Sequence, residues 1–393
     1  MTGSAPMANP VINPDIGLSP VEGSYLAYDP AADRLHELNA MGALIAELCD
    51  GSRSVEEIRA LAGPLMPEGR SAEIDGWIDG AVEAGLLVWG DGATVPPREL
   101  SAGELTELAG HLGENGKFEA AFLCAKRVTE LTPEDPAAWY GLGWASKAAG
   151  RRDEAADAFE KYLESGADDA PVRHMLTALR DEPSPPRACN ECIQQIFRDF
   201  SSNYDSKMRD KLSYQAPERL QDLIRSEIGD AAGLEILDIG CGTGLAGAAL
   251  KKHAARLVGI DLSPEMIELA RARGIYDGLE VAEITVWLNG TQEQFDLIAA
   301  CDCLVYFGDL QVVAASAARR LKPGGWFAFT TERGERYPFH LTDTGRYTHH
   351  PDHIREVAAH SGLIVARLED DFLRTEAGTE VTGLFALLKK SGR

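Results

Sequence analysis

From residue 234 onward, short apolar runs alternate with amphipathic stretches, and this alternation limits the fold more than any other feature of the chain. LEILDI (234–239), ARLVGID (255–261), LEVAEI (279–284), DLIAAC (296–301) and GWFAFT (325–330) all have strand length. PEMIELARARG and DLQVVAASAARRL, which fall between them, have helical spacing. Strands that alternate with helices predict a parallel sheet covered on both faces. LIVARLE and VTGLFALLKK lie close together near the end of the sequence and are expected to form an antiparallel edge pair.

The first run ends at Asp238 and passes into GCGTGLAG, residues 240–247. Gly242-Thr-Gly244-Leu-Ala-Gly247 satisfies G-x-G-x-x-G, which taken alone also suits a dinucleotide. The acids around it argue otherwise. Asp238 stands before the first glycine, where it would repel a pyrophosphate but suit a cationic amino acid ligand. Asp261 ends the second run, Glu283 lies near the end of the third, and Asp302 follows the fourth. LKPGGWFAF, residues 321–329, turns into the fifth. This ordered set resembles the class I S-adenosylmethionine-dependent methyltransferases. CDCLVYFGDL (301–310), FSSNYDSKMRDKLSY (200–214) and TGRYTHHPDHI (344–354) make the chain similar to bacterial members that carry tetratricopeptide repeats.

The resemblance implies S-adenosylmethionine as cofactor and S-adenosylhomocysteine as product. It implies that Gly240, Gly242 and Gly244 bring bare backbone against the amino acid part and the ribose. Asp238 would lend charge near the cationic portion, and Asp261 would accept hydrogen bonds from both ribose hydroxyls. Leu262 and Met266 would pack on the adenine, with Glu283 and Ile284 beside it. The Cys241 backbone would line the pocket, and Tyr204 would help to close it. Asp302 and Tyr306 are expected at the methyl end. Residues 346–350 are expected to form a substrate wall or lid, with Arg346 pairing a substrate carboxylate and His349 acting as base.

Nearly half of the chain precedes this domain. Residues 1–17 are small and Pro/Asn-rich and read as a mobile tail. In GSYLAYDPAADRLHELN (23–39), two alternating runs flank a turn, which predicts a β-hairpin. Asn39 is placed to cap a helix that Gly51 would stop. Ser54 and Glu57 have capping-box spacing, a third helix spans AEIDGWIDGAVEAG, and LLVW (86–89) has strand character. Hairpin, three helices and a strand make a winged-helix-like module over residues 18–96. That segment holds four arginines, no lysine and fourteen acids, a balance that opposes nucleic acid. YLAYDPAADRLHELN, together with AMGALIAELCDGSRSVEEI and IDGAVEAGLLV, resembles the PqqD-like family, recognition elements for the leaders of ribosomally made precursor peptides. The resemblance implies that a leader adds as a strand along the hairpin edge, packed against the third helix.

Residues 97–182 repeat with an offset of 34: Leu108 matches Leu142, Gly116 matches Gly150 and Ala121 matches Ala155. Trp139, Leu142, Gly143, Ala155 and Phe159 fit the tetratricopeptide pattern. Two repeats and a last helix near 171–180 are too few to stand alone and are expected to lean on a neighbour. EPSPPR, residues 182–187, reads as a linker, and 183–393 as the methyltransferase-like domain. The fold class is therefore multidomain α/β: a small α+β module, helical repeats, then a Rossmann-like seven-stranded sheet.

A net charge of −24 disfavours nucleic acid and anionic membranes as partners. Seven scattered cysteines and no basic-then-apolar start suit a reducing cytoplasm. Cys189 and Cys192 form a lone CxxC without a second pair, so no metal is expected. Three functions fit: a methyltransferase that binds a precursor leader and modifies its core, a methyltransferase for a small metabolite or carrier-bound acid, or a peptide-binding adaptor with a vestigial cofactor site.

Overall fold

Alternation in SYLAY and RLHEL yields the expected hairpin: Tyr25 stands opposite Leu38, and Asp29 opposite Arg34. The computed structural model describes residues 8–21, 24–29, 31–32, 34–66, 73–90, 98–200, 213–376 and 379–392. The chain divides into two units, Met1–Ala167 and Asp168–Arg393.

In the first unit, β1 (Asn9–Ile12), β2 (Gly17–Val21), β3 (Ser24–Asp29) and β4 (Arg34–Leu38) precede α1 (Ala40–Leu48), α2 (Val55–Ala62) and α3 (Glu73–Glu83). β5 (Leu87–Gly90) and β6 (Arg98–Glu99) come after them. The caps fall where the sequence puts them. Asn39 Oδ1 accepts the Gly42 N–H at 2.8 Å, and Ser54 and Glu57 form a complete capping box. Residues 9–12 and 17, by contrast, are not tail. β1 pairs antiparallel with β5, Val11 opposite Val88, and β2 begins at Gly17 between β3 and β6. The cause is burial: Val11, Ile12, Ile16 and Leu18 are apolar and almost fully covered.

The sheet runs β4-β3-β2-β6. Leu18, Ala27 and Leu38 face the core formed with the three helices. Leu26, Tyr28 and Leu35 face the other way, onto the repeats. These comprise α4 (Ala102–Glu114), α5 (Phe118–Leu131), α6 (Pro136–Ala148) and α7 (Arg152–Glu164). The repeats do lean on a neighbour, with Leu105, Leu108 and Leu112 packed against the sheet's second face. Between α6 and α7, the Trp144 and Phe159 rings meet edge-on at 5.2 Å, over Gly143.

The second unit begins earlier than residue 183. Its first helix, α8 (Ala170–Leu179), is the last helix expected of the repeats, and within this unit it buries Ala178 against Leu341 and Tyr347. Next come α9 (Asn190–Phe200), α10 (Ala216–Ile228), β7 (Leu234–Ile239), α11 (Leu245–Leu250), β8 (Ala254–Asp261), α12 (Pro264–Ala272) and β9 (Gly278–Val281). α13 (Ile284–Gly290), β10 (Phe295–Ala300), α14 (Gln311–Arg320) and β11 (Leu321–Arg333) continue the alternation. The unit closes with β12 (Phe339–Leu341), β13 (Tyr347–His349), α15 (Pro351–His360), β14 (Leu363–Glu376) and β15 (Thr379–Lys390).

The sheet has nine strands among the described residues, not the seven expected: seven run β9-β8-β7-β10-β11-β15-β14, and β13, itself paired with β12, adds parallel to the end of β11. It is parallel from β9 to β11, and β15 enters antiparallel to β11. The final antiparallel pair is as expected. Leu237, Ile298 and Phe327 point to one helical layer, while Ile236, Leu257 and Leu297 point to the other. Each such side chain contributes roughly 1.5–3 kcal/mol by leaving water. The third strand departs from the sequence reading. It ends at Val281, and Glu283 caps α13 by accepting the Val286 N–H at 2.8 Å.

Candidate active site

From β7 the chain winds outward through β8 and β9, then returns to β10 on the other side of β7. Doubly wound sheets bind ligands where the strand order reverses in this way, beyond the carboxyl ends of the strands. A cleft opens there, lined by the glycine loop, Asp261, Leu262, Glu283, Ile284, Asp302 and Tyr306 among others.

The floor of the cleft is backbone. Gly242 has φ 52°, and a Cβ built on it would meet nothing within 4 Å, so free space lies beside the main chain. Gly240, with φ 66°, has no such room, because a Cβ there would collide with the Cβ of Cys303. Asp261 braces the loop: its Oδ2 accepts the Gly242 N–H at 2.8 Å and its Oδ1 the Ser263 N–H at 2.9 Å. Burial pushes its carboxyl up. A carboxylate accepts about four hydrogen bonds, so Asp261 retains capacity for ligand hydroxyls.

Asp302 leaves β10 in the left-handed region, φ 54°, with its N–H donating to Thr330 Oγ1 at 2.8 Å. Arg374 Nη1 reaches both of its carboxylate oxygens, at 3.1 and 3.2 Å. Burial raises the Asp302 carboxyl, and the Arg374 guanidinium opposes the rise. Arg374 also pairs with Glu332, and Arg346 Nε lies 2.8 Å from Glu332 Oε1. Tyr306 faces the cleft with its ring edge-on to Phe197 at 5.7 Å. Burial pushes its phenol up to about 12, so it stays protonated and able to donate.

This stretch of strands and loops matches a known family. The family described as "Methyltransferase domain" matches residues 237–329, from β7 into β11. The chain carries a methyltransferase domain. A tetratricopeptide-repeat family matches residues 114–179. The chain is similar to the "Ubiquinone biosynthesis O-methyltransferase" of Xylella fastidiosa (strain 9a5c), 35% identical over 159 residues, 35% of this chain and 63% of that one. It is also similar to the protein of the same name from Coxiella burnetii, 29% identical over 150 residues, 33% of this chain and 64% of that one. The chain thus spans less than two thirds of the length of these relatives. Among solved structures, the N-methyltransferase NodS from Bradyrhizobium japonicum with S-adenosyl-L-homocysteine is 22% identical with a TM-score of 0.41, covering 50% of this chain and 97% of that one.

S-adenosylmethionine is the cofactor of the methyltransferase domain, and the cleft fits it. Bare backbone at Gly242 and a carboxylate at the β8 tip would answer its amino acid and ribose parts. Bound there, it supplies a methyl group on positively charged sulfur. The protein's share of the chemistry is to hold an acceptor in line, keep water out and manage the acceptor's proton. A buried carboxylate whose pKa is raised, as at Asp302, suits proton removal from a hydroxyl or an ammonium group.

Several residues expected at the site stand elsewhere. Asp238 is fully buried beneath the loop, bonded to the Tyr276 hydroxyl at 2.7 Å, and does not line the cleft. Met266 is buried in α12 behind the wall, whereas Leu262 and Ile284 do line the cleft, as does Cys241. His349 is no base: it is fully buried, bonded through Nε2 to the Gly308 carbonyl, and burial pushes its pKa down to about 3. Arg346 is committed to Glu332 and Glu376 and is not free to grip a substrate carboxylate. The other residues of the expected lid are similarly engaged: Tyr347 to His349 form β13, and His350 caps α15. Tyr204 lies outside the described residues. Glu283 lines the cleft, and its side chain already accepts from Arg187, Thr285 and the α13 cap.

The sequence reading missed Arg187, Phe197, Tyr214, Cys303 and Phe307, which also line the cleft. One signal was available: Arg187 ends the EPSPPR segment read as a bare linker, immediately before an amphipathic helix that carries Phe197.

Proposed function

We propose that the methyltransferase domain transfers a methyl group from S-adenosylmethionine to the core of a ribosomally made precursor peptide, with the leader held by the N-terminal module. The observation that carries the reading is strand β4. It ends its sheet with a single paired side among the described residues, and Arg34 Nη1 ties its start to the Ala84 carbonyl just past α3. An unpaired strand edge beside a helix can take an extended peptide as an added strand. Tethering the leader raises the concentration of the core near the cleft without any new contact to it.

At the cleft, Asp302 takes the acceptor's proton and Tyr306 donates to the acceptor. The test is to incubate the full chain with labelled cofactor and the precursor peptide encoded beside its gene. Label should enter the core, and removing the leader should slow labelling about tenfold or more. Equal labelling with and without the leader would remove the recognition claim.

The names of the curated relatives favour a second reading, O-methylation of a small acceptor with the first unit as scaffold. Labelling of a small phenol or hydroxy acid in the absence of any peptide supports that reading instead.

A further inference from the structure

The segment between α8 and α9 is bonded onto the loop after β10. The Pro186 carbonyl accepts the N–H groups of Gly308 and Asp309, at 2.9 and 2.8 Å, and the Ala188 N–H donates to the Tyr306 carbonyl at 2.9 Å. Tyr347 donates its hydroxyl to the Pro185 carbonyl at 2.9 Å, and Arg187 forms a backbone bridge with Phe307. So anchored, the strap carries the Arg187 side chain into the wall of the cleft.

In that wall, Arg187 Nη1 donates to Glu283 Oε1 at 2.9 Å. Nη2 donates to Asn190 Oδ1, and the guanidinium stands 5.6 Å from the centre of the Phe307 ring. The accounting of donors and acceptors at this end is uneven. Glu283 Oε2 accepts from the Val286 N–H at 2.8 Å and from the Thr285 hydroxyl at 2.5 Å, so both of its lone-pair sites are filled. Oε1 has one lone pair left beyond Arg187. A guanidinium carries five N–H donors, and two of those on Arg187 are used among the described residues. About a quarter of the side chain, 28%, stays open, against 9% for Glu283. The end of the cleft past the β8 tip therefore presents an excess of donors.

We propose that Arg187 is a binding residue for the purine of the cofactor, donating to a ring nitrogen, and that the exocyclic amine is not what this end of the cleft reads. The inference rests on the cofactor reading above and deepens it. The ligand runs from the bare backbone at Gly242, past Asp261, to the Ile284 and Arg187 end. A ring-nitrogen acceptor there meets a charged donor held by Glu283, Asn190 and the Phe307 face. The ion pair with Glu283 fixes where the guanidinium sits; the N–H groups left over make the contact.

Calorimetry of S-adenosylhomocysteine on the full chain tests this, together with four analogues: one with hydrogen in place of the 6-amino group, and three with C–H in place of N1, N3 or N7. The desamino analogue is expected to bind within about threefold of the parent ligand, and at least one deaza analogue about tenfold more weakly. Arg187→Met should weaken S-adenosylhomocysteine about tenfold and erase the difference between that deaza analogue and the parent ligand. The analogue series on the unmodified protein does not depend on how the variant folds. Uniform binding of all three deaza analogues, a tenfold loss with the desamino analogue, or an Arg187→Met protein that binds as tightly as the parent would overturn the proposal. A parent protein that takes up no S-adenosylhomocysteine would instead remove the cofactor reading on which it stands.

Discussion

Tyr276 donates its hydroxyl to Asp238 at 2.7 Å, and its ring fills the space that side chains at Gly244, Gly247 and Gly259 would need. Three glycines on two successive strand-to-helix units are thus explained by one aromatic ring seated under the loop. Asp238 fixes that ring and does not line the cleft. Arg273, three residues before Tyr276, pins the same loop by donating to the Thr243 carbonyl.

Gly240 and Gly242 are expected to fail in different ways. Gly240→Ala drives a Cβ into Cys303 and should lower stability by about 1–3 kcal/mol in urea melts. Gly242→Ala bears the same left-handed strain, φ 52°, but has no such neighbour, so calorimetry should show S-adenosylhomocysteine binding at least about tenfold weaker, with a smaller change in the melt. The reverse order of effects would place the ligand elsewhere.

Burial raises the Asp238 carboxyl to about 7, the Tyr276 hydrogen bond opposing the rise. A carboxyl whose folded pKa exceeds its unfolded value favours the fold below the unfolded pKa and loses that favour as pH climbs through the folded one. Parent stability should therefore fall between about pH 4 and 7 on account of this group. Asp238→Asn has no charge to bury, so the stability difference between variant and parent should move in the variant's favour from pH 5 to 8. Melts across that range check the sign.

His349 has the opposite linkage. Its pKa is pushed down to about 3 by burial, with the neighbouring His353 adding to the effect. Its contribution is present above its unfolded pKa and is lost as pH falls toward the folded value. His349→Gln should therefore flatten the loss of stability between pH 6 and 4, while leaving S-adenosylhomocysteine affinity at neutral pH within about twofold. An affinity loss of the size seen for a cleft residue would return His349 to the site.

Arg374 is almost fully buried and serves Asp302 and Glu332 together. Arg374→Met leaves Asp302 without its arginine and Glu332 with Arg346 alone, and should cost about 3–5 kcal/mol. Adding Asp302→Asn should recover part of that loss, since the stranded charge disappears. Strictly additive effects in a double-mutant cycle would argue against direct coupling.

In the first unit, a Cβ at Gly143 would strike the Phe159 ring. Gly143→Ala should cost about 1–3 kcal/mol, and Phe159→Leu in the same chain should restore part of it. Circular dichroism melts provide the comparison.

Much of the architecture was legible because it rests on local rules. Period-2 and period-3.6 patterning set the strands from Leu234 and Ala254, the helix at Pro264, the hairpin at Ser24 and the final antiparallel pair. Asn39, Ser54 and Glu57 form their caps within a few residues of chain. The glycine loop and Asp261 were readable for the same reason, since a bare turn at a strand tip is a local pattern. The third strand was misread where two local rules competed, and capping by Glu283 prevailed over strand extension to Ile284.

The amino-acid sequence alone determined the kinds of element, their order and the strand-tip acids, because propensity, periodicity and capping act over a few residues. Only the tertiary structure decided which charged groups face the cleft. Asp238, Arg346 and His349 were drawn inside to partners 38, 14 and 41 residues away, at Tyr276, Glu332 and Gly308, while Arg187 was carried into the wall by the strap. The physical reason is that a buried polar group must find a partner wherever the fold places one, and that partner's identity is not written in the neighbouring sequence.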